Sequence, residues 1–105
     1  APFGLLLNEL VSNCLKHGFP GGRKGEIAVA LQPFDAGPNW RLLVRDTGVG
    51  VPADFEEKRS SSLGLQLVAD LVTQIGGHLL ISEGLDGGTV VSVTFSPQKL
   101  AERLV

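Results

Sequence analysis

Four polar residues near the start of the chain have side chains that suit phosphate chemistry. They lie in "NELVSNCLKH" (residues 8–17) and fall within about a quadrant of a helix at ~100° per residue: Glu9, Asn13, Lys16 and His17. An amide oxygen is a hard ligand for Mg²⁺, an ammonium is a point charge for phosphate, and a carboxylate can orient a water or hydroxyl. The same pattern also describes an ordinary solvated helix face, so the stripe alone leaves both interpretations open.

A second chemical feature is "VRDTGVGVP" (residues 44–52), in which an apolar strand runs into Asp46. Asp-Thr-Gly is how an aspartic peptidase presents its catalytic carboxylate, whereas Gly48 and Gly50 would let a backbone approach a ligand closely. The match of this loop to a dinucleotide-binding Gly-x-Gly-x-x-Ala is weak, because Pro52 interrupts the turn and no βαβ unit surrounds it. The residues alone therefore allow Asp46 to be a peptide-cleaving acid or an acceptor that binds a ligand.

Two further segments combine glycine with hydroxyl side chains. In "RSSSLGLQLV" (residues 59–68) a serine run ending at Ser62 precedes Leu63 and Gly64 at the predicted start of a helix, where backbone N–H groups and the helix dipole favour phosphate. A serine at this position is also an ordinary N-cap. A glycine in the first turn, however, lowers helix stability by ~1 kcal/mol relative to alanine, so Gly64 is harder to explain as an ordinary helix start. Near the end of the chain two glycines precede Thr89, a pattern that is also common in hairpins.

Two helices and four strands are predicted to position these residues. Apolar periodicity predicts helices at 2 to about 17 and 63–75, strands at 26–32, 40–46, 78–82 and 89–95, and a frayed helix in the tail. Alternation along the second strand puts Asp46 on the same face as Trp40, Leu42 and Val44. Hairpin-paired strands with helices on one face make a two-layer α/β sandwich.

The predicted helices each carry an apolar face. On the first helix the face comprises Leu7, Leu10, Val11 and Cys14. On the second it comprises Leu67, Val68, Leu71, Val72 and Ile75. Both faces are expected to pack on the sheet.

Composition indicates one globular domain over residues 1–105. The chain is 43 % apolar, and its net charge of −2 predicts no general attraction to nucleic acid or anionic lipid. The single cysteine favours a reducing, cytoplasmic setting, and no apolar run reaches the ~18 residues that suggest a membrane span. Because the chain begins without methionine, almost on top of a helix, we expect a fragment of a longer protein.

The order of four motifs carries a family resemblance. "NELVSNCLKH", "DTGVG", "SLGLQLV" and "GGTVVSVTF" together resemble the ATP-binding catalytic domain of bacterial sensor histidine kinases, part of the ATPase superfamily that includes gyrase. The resemblance spans about residues 3–96. The first motif and the short loop at 51–62 look most like a short-lid subgroup related to the HWE kinases. The resemblance implies a Bergerat ATP-binding fold, an α/β (α+β) sandwich whose sheet is mixed and mostly antiparallel.

The resemblance implies ATP and Mg²⁺ as cofactors and assigns a role to each motif. Asn13 would bind Mg²⁺, Glu9 would position or activate the attacking group, Lys16 would touch the phosphates, and His17 would lie nearby. Glu9 and Asn13 are thus the expected catalytic residues.

On the adenine side, the resemblance makes Asp46 the acceptor for the exocyclic amine. Gly48 and Gly50 would shape the adenine pocket, and Thr89 would lie behind Asp46. Gly64, with Ser62 and Leu63, would lie under the phosphates. The peptidase-like "DTG" would then be a coincidence.

The implied function is phosphoryl transfer in two-component signal transduction. In the intact protein, expected to be a homodimer, the γ-phosphoryl would go to a histidine on an adjacent dimerisation domain and from there to a response regulator. This chain departs from the family pattern, because the strand before the first helix and the phosphoacceptor histidine are both absent. The chain by itself is therefore expected only to bind ATP.

Two alternatives remain open on the sequence. One is an ATP-binding regulatory module, such as an anti-sigma-factor serine kinase. The other is a dimeric aspartic peptidase, which would leave Glu9, Asn13, Lys16 and Gly64 unexplained.

Overall fold

The described part of the chain forms two α-helices, a π-helical turn and four strands. The computed structural model of the chain describes residues 2–18, 24–50, 63–85 and 87–97. In chain order the elements are α1 (Pro2–Asn13), a π-helical turn (Cys14–Gly18), β1 (Ile27–Pro33), β2 (Trp40–Asp46), α2 (Leu63–Gln74), β3 (His78–Glu83) and β4 (Thr89–Phe95). The structure confirms the four predicted strands, the second helix, and the first helix as far as Asn13. The loop at 51–62, which was predicted to be a short lid and includes Ser62, and the tail beyond residue 97 lie outside the described residues.

The end of the first helix differs from the prediction. The α-helix ends at Asn13, and Cys14–Gly18 continue as a π-helical turn. A π-helix is wound with i→i+5 hydrogen bonds, so angles computed for an α-helix do not apply to Lys16 and His17. The one-quadrant stripe therefore holds for Glu9 and Asn13 but was wrong in extending an α-helix through residue 17.

The four strands form one sheet in the order β1-β2-β4-β3. Each neighbouring pair among them is antiparallel. Strands β1 and β2 form one hairpin and β3 and β4 another, as predicted. The central pairing, β2 with β4, sets Asp46 opposite Thr89, so two of the predicted site residues meet at one end of the sheet.

One face of the sheet packs against both helices to form the core. Alternation along β2 buries Leu42, Val44 and Asp46 and leaves Arg45 exposed, which confirms the predicted face. At the far end of β4, Phe95 packs on Phe3 of α1 with ring centroids 5.4 Å apart. The buried apolar side chains are Leu6, Leu10, Cys14, Leu42, Val44, Val68, Leu71, Val72, Ile75, Val91, Val93 and Phe95.

The apolar face of α1 is centred differently from the prediction. Leu6, Leu10 and Cys14 are buried at i, i+4 spacing, whereas Leu7 and Val11 are only half-buried. Residues 5–7 are all leucine, so apolar side chains leave this part of the helix in three directions. The sequence pattern therefore does not determine which of them is the centre of the buried face. Packing of α1 against α2 and the sheet makes the choice.

We expect Leu6→Ala to cost about 2–5 kcal/mol of unfolding free energy, because Leu6 is 0 % exposed and its removal leaves a cavity. Leu5→Ala is the matched control, since Leu5 is 47 % exposed and should cost far less. Urea denaturation of the two variants measures the difference. Equal costs would contradict the burial of Leu6.

No helix in the described segments is long and apolar enough to cross a membrane.

Candidate functional site

Asp46 is the buried acid at the centre of the candidate site. It ends β2, and its side chain is only 4 % exposed. Its Oδ1 accepts hydrogen bonds from the N–H of Gly48, at 2.8 Å, and from the N–H of Thr89, at 3.3 Å. A carboxylate removed from water is tolerated only when donors of this kind compensate it. The turn after β2 and the start of β4 therefore hold the carboxylate from two sides.

A third group lies near Asp46, on the side of the helix layer. The π-helical turn packs against β2, and the buried thiol of Cys14 lies near the Asp46 carboxylate. Burial first, and then the neighbouring Asp46 carboxylate, raise the pKa of the Cys14 thiol to about 12. The thiol is therefore protonated at neutral pH. The sequence placed Cys14 on an apolar face and missed its proximity to Asp46.

Two glycines let the loops around Asp46 approach each other closely. Gly50 and Gly88 have φ of 84° and 75°, in the left-handed region. A Cβ on Gly88 would fall on the carbonyl oxygen of Asp46 and lie 3.0 Å from the Cα of Thr47. A Cβ on Gly50 would lie 3.3 Å from the Gly88 carbonyl oxygen. The sequence named Gly50 as a site residue but not Gly88, although the two glycines before Thr89 were the available signal.

Thr47 anchors the loop after Asp46 to the neighbouring strand. Its N–H donates to the Glu26 carbonyl at 3.1 Å, and its Oγ1 accepts from the Glu26 N–H at 2.9 Å. This pair continues the β1–β2 ladder by one step beyond Asp46. The Asp-Thr-Gly turn is thus a firmly hydrogen-bonded strand end, in which Gly48 is buried.

The polar residues predicted on the first helix lie in its second half and in the π-helical turn, which packs against β2. Asn13 precedes Cys14, and its Nδ2 is buried without a hydrogen-bond partner in the described part of the chain. Glu9, one turn earlier, is half-buried, and Lys16 is exposed. The backbone of His17 lies in the π-helical turn, and its side chain is outside the described residues. A buried polar group without a partner is costly, so the Asn13 amide is available to a ligand that would satisfy it.

The residues present fit a magnesium ion that is shared with a phosphate ligand. Within the described segments, no group of three or more His, Cys, Asp or Glu residues could hold a metal ion. Mg²⁺ commonly takes one or two protein oxygens and completes its shell with phosphates and water. A half-turn of the Asn13 amide exchanges its nitrogen and oxygen, so Asn13 can supply one such oxygen.

The N-terminus of α2 carries the remaining predicted residues. The helix begins at Leu63, which is 82 % exposed, and the half-buried Gly64 lies in its first turn, as predicted. The positive end of the helix dipole lies there. Helix α2 packs beside α1, so this end belongs to the same helix layer as Asn13.

Comparison with known sequences finds one family over nearly the whole chain. A sequence model described as histidine kinase-, DNA gyrase B- and HSP90-like ATPase matches residues 2–99. The blue-light-activated histidine kinase 2 of Erythrobacter litoralis is 31 % identical over 97 residues, covering 91 % of this chain and 28 % of that protein. The sensor histidine kinase PdtaS of Mycobacterium tuberculosis is 32 % identical over 90 residues, covering 83 % of this chain and 17 % of that protein. The chain thus spans less than a third of the length of either relative.

Solved structures show the same fold. The histidine kinase domain of the Erythrobacter litoralis blue-light-activated kinase superposes with a TM-score of 0.82 at 27 % identity, over 97 % of this chain and 46 % of that one. The catalytic domain of the histidine kinase ThkA superposes with a TM-score of 0.73 at 22 % identity, over 93 % of this chain and 68 % of that one. The second likeness shows the fold alone. Together they confirm the predicted two-layer sandwich.

Proposed function

Because the chain belongs to the family of histidine kinase-, DNA gyrase B- and HSP90-like ATPases, we propose that it binds Mg²⁺-ATP as the cytoplasmic catalytic domain of a longer sensor histidine kinase. In that protein it transfers the γ-phosphoryl group to a histidine on a neighbouring dimerisation domain. A response regulator then takes the phosphoryl group. Relatives named as a blue-light-activated histidine kinase and as a sensor histidine kinase support this assignment over the other kinds of ATPase in the family.

The observation that carries the proposal is the buried carboxylate of Asp46. Two backbone N–H groups hold its Oδ1, and an ionised carboxylate has about four acceptor positions. Acceptor capacity therefore remains for the exocyclic amine of adenine. Gly48, Gly50 and Thr89 surround Asp46 and form the wall of the adenine pocket.

Residues of the helix layer form the phosphate side of the site. Asn13 is the Mg²⁺ ligand, Glu9 positions the attacking group, and Lys16 supplies positive charge, with His17 beside it. Gly64, together with Ser62 and Leu63, accommodates the phosphates at the N-terminus of α2. Phosphoryl transfer depends mainly on positioning and charge stabilisation, and bound Mg²⁺ would supply part of that charge.

A regulatory ATP-binding module, such as an anti-sigma-factor serine kinase, shares this fold and remains the second candidate. The two differ in the acceptor, which is a histidine in one and a serine of a partner protein in the other. A dimeric aspartic peptidase finds no support, because the ATPase family model accounts for residues 2–99.

Asn13→Ala should weaken Mg²⁺-dependent ATP binding by roughly tenfold or more, because the ion loses a protein ligand. In a kinase polypeptide that contains this domain, the same change should abolish acid-labile labelling from γ-labelled ATP. Calorimetry with and without Mg²⁺ measures the binding, and acid treatment of the labelled protein identifies phosphohistidine.

The control for Asn13→Ala is Asn8→Ala, since Asn8 lies on the same helix with an exposed side chain. That variant should keep both affinity and Mg²⁺ dependence. If Asn13→Ala also kept both, the metal assignment would be wrong. Failure of the unmodified domain to bind ATP would overturn the proposed function itself, and labelling that survives acid would favour the serine kinase.

A further inference from the structure

Thr47 lies between the buried carboxylate of the site and the glycine that donates to it. Asp46 precedes it, and the N–H of Gly48, which follows it, donates to Oδ1 of Asp46 at 2.8 Å. The side chain of Thr47 is exposed, yet its Oγ1 accepts a hydrogen bond from the N–H of Glu26 at 2.9 Å. The hydroxyl therefore bonds to the neighbouring backbone at the step where the turn after β2 begins.

We propose that Thr47 is a positioning residue for adenine recognition, whose hydroxyl replaces its own carbonyl in the β1–β2 ladder and so releases the following peptide to hold the Asp46 carboxylate. The proposal rests on the proposed function, because it assumes that Asp46 reads adenine. Thr47 acts through Gly48 and Asp46 and needs no contact with the nucleotide.

The hydrogen bonds between Thr47 and Glu26 differ from those of a regular antiparallel pair. Two residues of a hydrogen-bonded pair normally exchange both of their backbone N–H···O bonds. Thr47 does donate its N–H to the Glu26 carbonyl, at 3.1 Å, but the N–H of Glu26 goes to Oγ1 of Thr47. The paired strands accordingly end one step earlier, at Ile27 and Asp46. The hydroxyl thus takes the place that the Thr47 carbonyl would have in a continued ladder.

This exchange lets the chain leave the strand directly after Thr47. A side chain that bonds to backbone offers the chain an alternative to the ladder, so the peptide between Thr47 and Gly48 is available for the turn. There the Gly48 N–H makes the shorter of the two backbone hydrogen bonds to Oδ1 of Asp46, at 2.8 Å against 3.3 Å from Thr89. The orientation of the carboxylate therefore depends on where the backbone leaves β2.

Removal of the hydroxyl should disturb the carboxylate more than the stability of the domain. The N–H of Glu26 would then take the Thr47 carbonyl, the acceptor of a regular pair, and the following peptide would turn away from Asp46. The lost hydrogen bond is exposed, so water can also satisfy the N–H of Glu26, and the loss of unfolding free energy should be small.

The first test is competition of ADP and GDP against a fluorescent ADP analogue, in the unmodified domain, Thr47→Val and Thr47→Ser. Valine keeps the β-branched shape without the acceptor, and serine keeps the hydroxyl. We expect Thr47→Val to weaken ADP binding about threefold to tenfold and GDP binding less. Thr47→Ser should retain most of the ADP affinity.

The control for loss of a hydroxyl is Thr73→Val. Oγ1 of Thr73 donates to the Ala69 carbonyl on α2 at 3.0 Å and is exposed. This variant should bind both nucleotides as the unmodified domain does.

Amide hydrogen exchange of Gly48 tests the structural step without nucleotide. Gly48 is buried and its N–H is bonded to Asp46, so this amide should be protected in the unmodified domain. In Thr47→Val it should exchange about threefold to tenfold faster, because its hydrogen bond to the carboxylate is weakened. The amides of β4 should change less, which distinguishes a local effect from a general loss of stability.

A double-mutant cycle with Asp46→Ala shows whether Thr47 acts through Asp46. The effect of Thr47→Val on ADP binding should largely vanish there, because the acceptor for the Gly48 N–H is gone.

Five results would each overturn the proposal while the unmodified domain still prefers ADP. They are an unchanged ADP affinity in Thr47→Val, an equal loss for ADP and GDP, an equal loss in Thr47→Ser, an unchanged exchange rate of the Gly48 amide, and a loss that persists in the Asp46→Ala background. If the unmodified domain has no preference for ADP, the adenine-reading role of Asp46 fails first, and this proposal fails with it.

Discussion

Replacing Asp46 with alanine should lower the affinity for ADP by roughly tenfold to a hundredfold or more, and the affinity for GDP much less. Adenine presents an amine to the carboxylate, whereas guanine presents a carbonyl oxygen at the same position. An ionised carboxylate only accepts hydrogen bonds. Guanine would therefore leave the desolvated carboxylate unpaired, so the unmodified domain should prefer ADP.

The variant Asp46→Asn distinguishes the role of Asp46 in adenine recognition from its role in the stability of the domain. The amide oxygen can still accept from the N–H groups of Gly48 and Thr89, which now bind Oδ1 of Asp46. The amide nitrogen adds a donor, so the preference for ADP over GDP should erode with a smaller loss of stability than alanine causes. Asp46→Ala leaves both N–H groups without this acceptor, which costs about 1–3 kcal/mol if they stay buried.

Competition of ADP and GDP against a fluorescent ADP analogue measures these effects. The control is Asp70→Asn, an exposed carboxylate on α2, which should bind both nucleotides as the unmodified domain does. Equal competition by ADP and GDP against the unmodified domain would show that Asp46 does not read adenine.

Gly88→Ala should destabilise the domain by about 2–4 kcal/mol and weaken ADP binding as well. Gly88 has a φ of 75°, and an added Cβ would fall on the carbonyl oxygen of Asp46. The collision would push the start of β4 away from the end of β2. The hydrogen bond from Thr89 to Asp46 would then weaken, so the loss of stability and the loss of affinity have one cause.

The neighbouring glycine offers a matched control for this effect. Gly87 has a φ of 88°, but an added Cβ would meet nothing within 4 Å. Gly87→Ala should therefore show the conformational strain without the collision and keep most of the ADP affinity. Chemical denaturation and ADP titration of both variants give the comparison. If Gly88→Ala lost no more stability and no more ADP affinity than Gly87→Ala, the close approach of Gly88 to Asp46 would matter neither for stability nor for ADP binding.

The helices, strands and hairpins of this chain were predictable because their signals are local. Alternation in "WRLLVRD" (residues 40–46) placed Asp46 on the face that is buried, since successive side chains of a strand point to opposite faces. Gly76 and Gly77 end the second helix where expected, and Gly76 has a φ of 70°. The order of the motifs also identified the family, because each motif keeps its residue types within a short stretch.

The winding at Cys14 and the centre of the α1 face were not predictable from the pattern. A π-helical turn differs from an α-helical one by a single shift in hydrogen bonding, and residues on either side of Asn13 carry no local signal for it. The leucines at 5–7 fit several registers equally well. In both cases the packing of α1 against its neighbours selects one arrangement among locally similar ones.

The sequence by itself determined which residue types are available for the candidate site, and the tertiary structure decided which of them meet. Asp46 and Thr89 are 43 positions apart, and only the register of β2 with β4 brings them into hydrogen-bonding contact. The same register places Gly88 against the backbone of Asp46, and packing of the π-helical turn on β2 brings Cys14 near its carboxylate. Apart from the place of Thr89 behind Asp46, which the family resemblance implied, these contacts were not predicted. Periodicity shows which face of its own element a residue occupies, whereas its partner depends on how distant elements pack together.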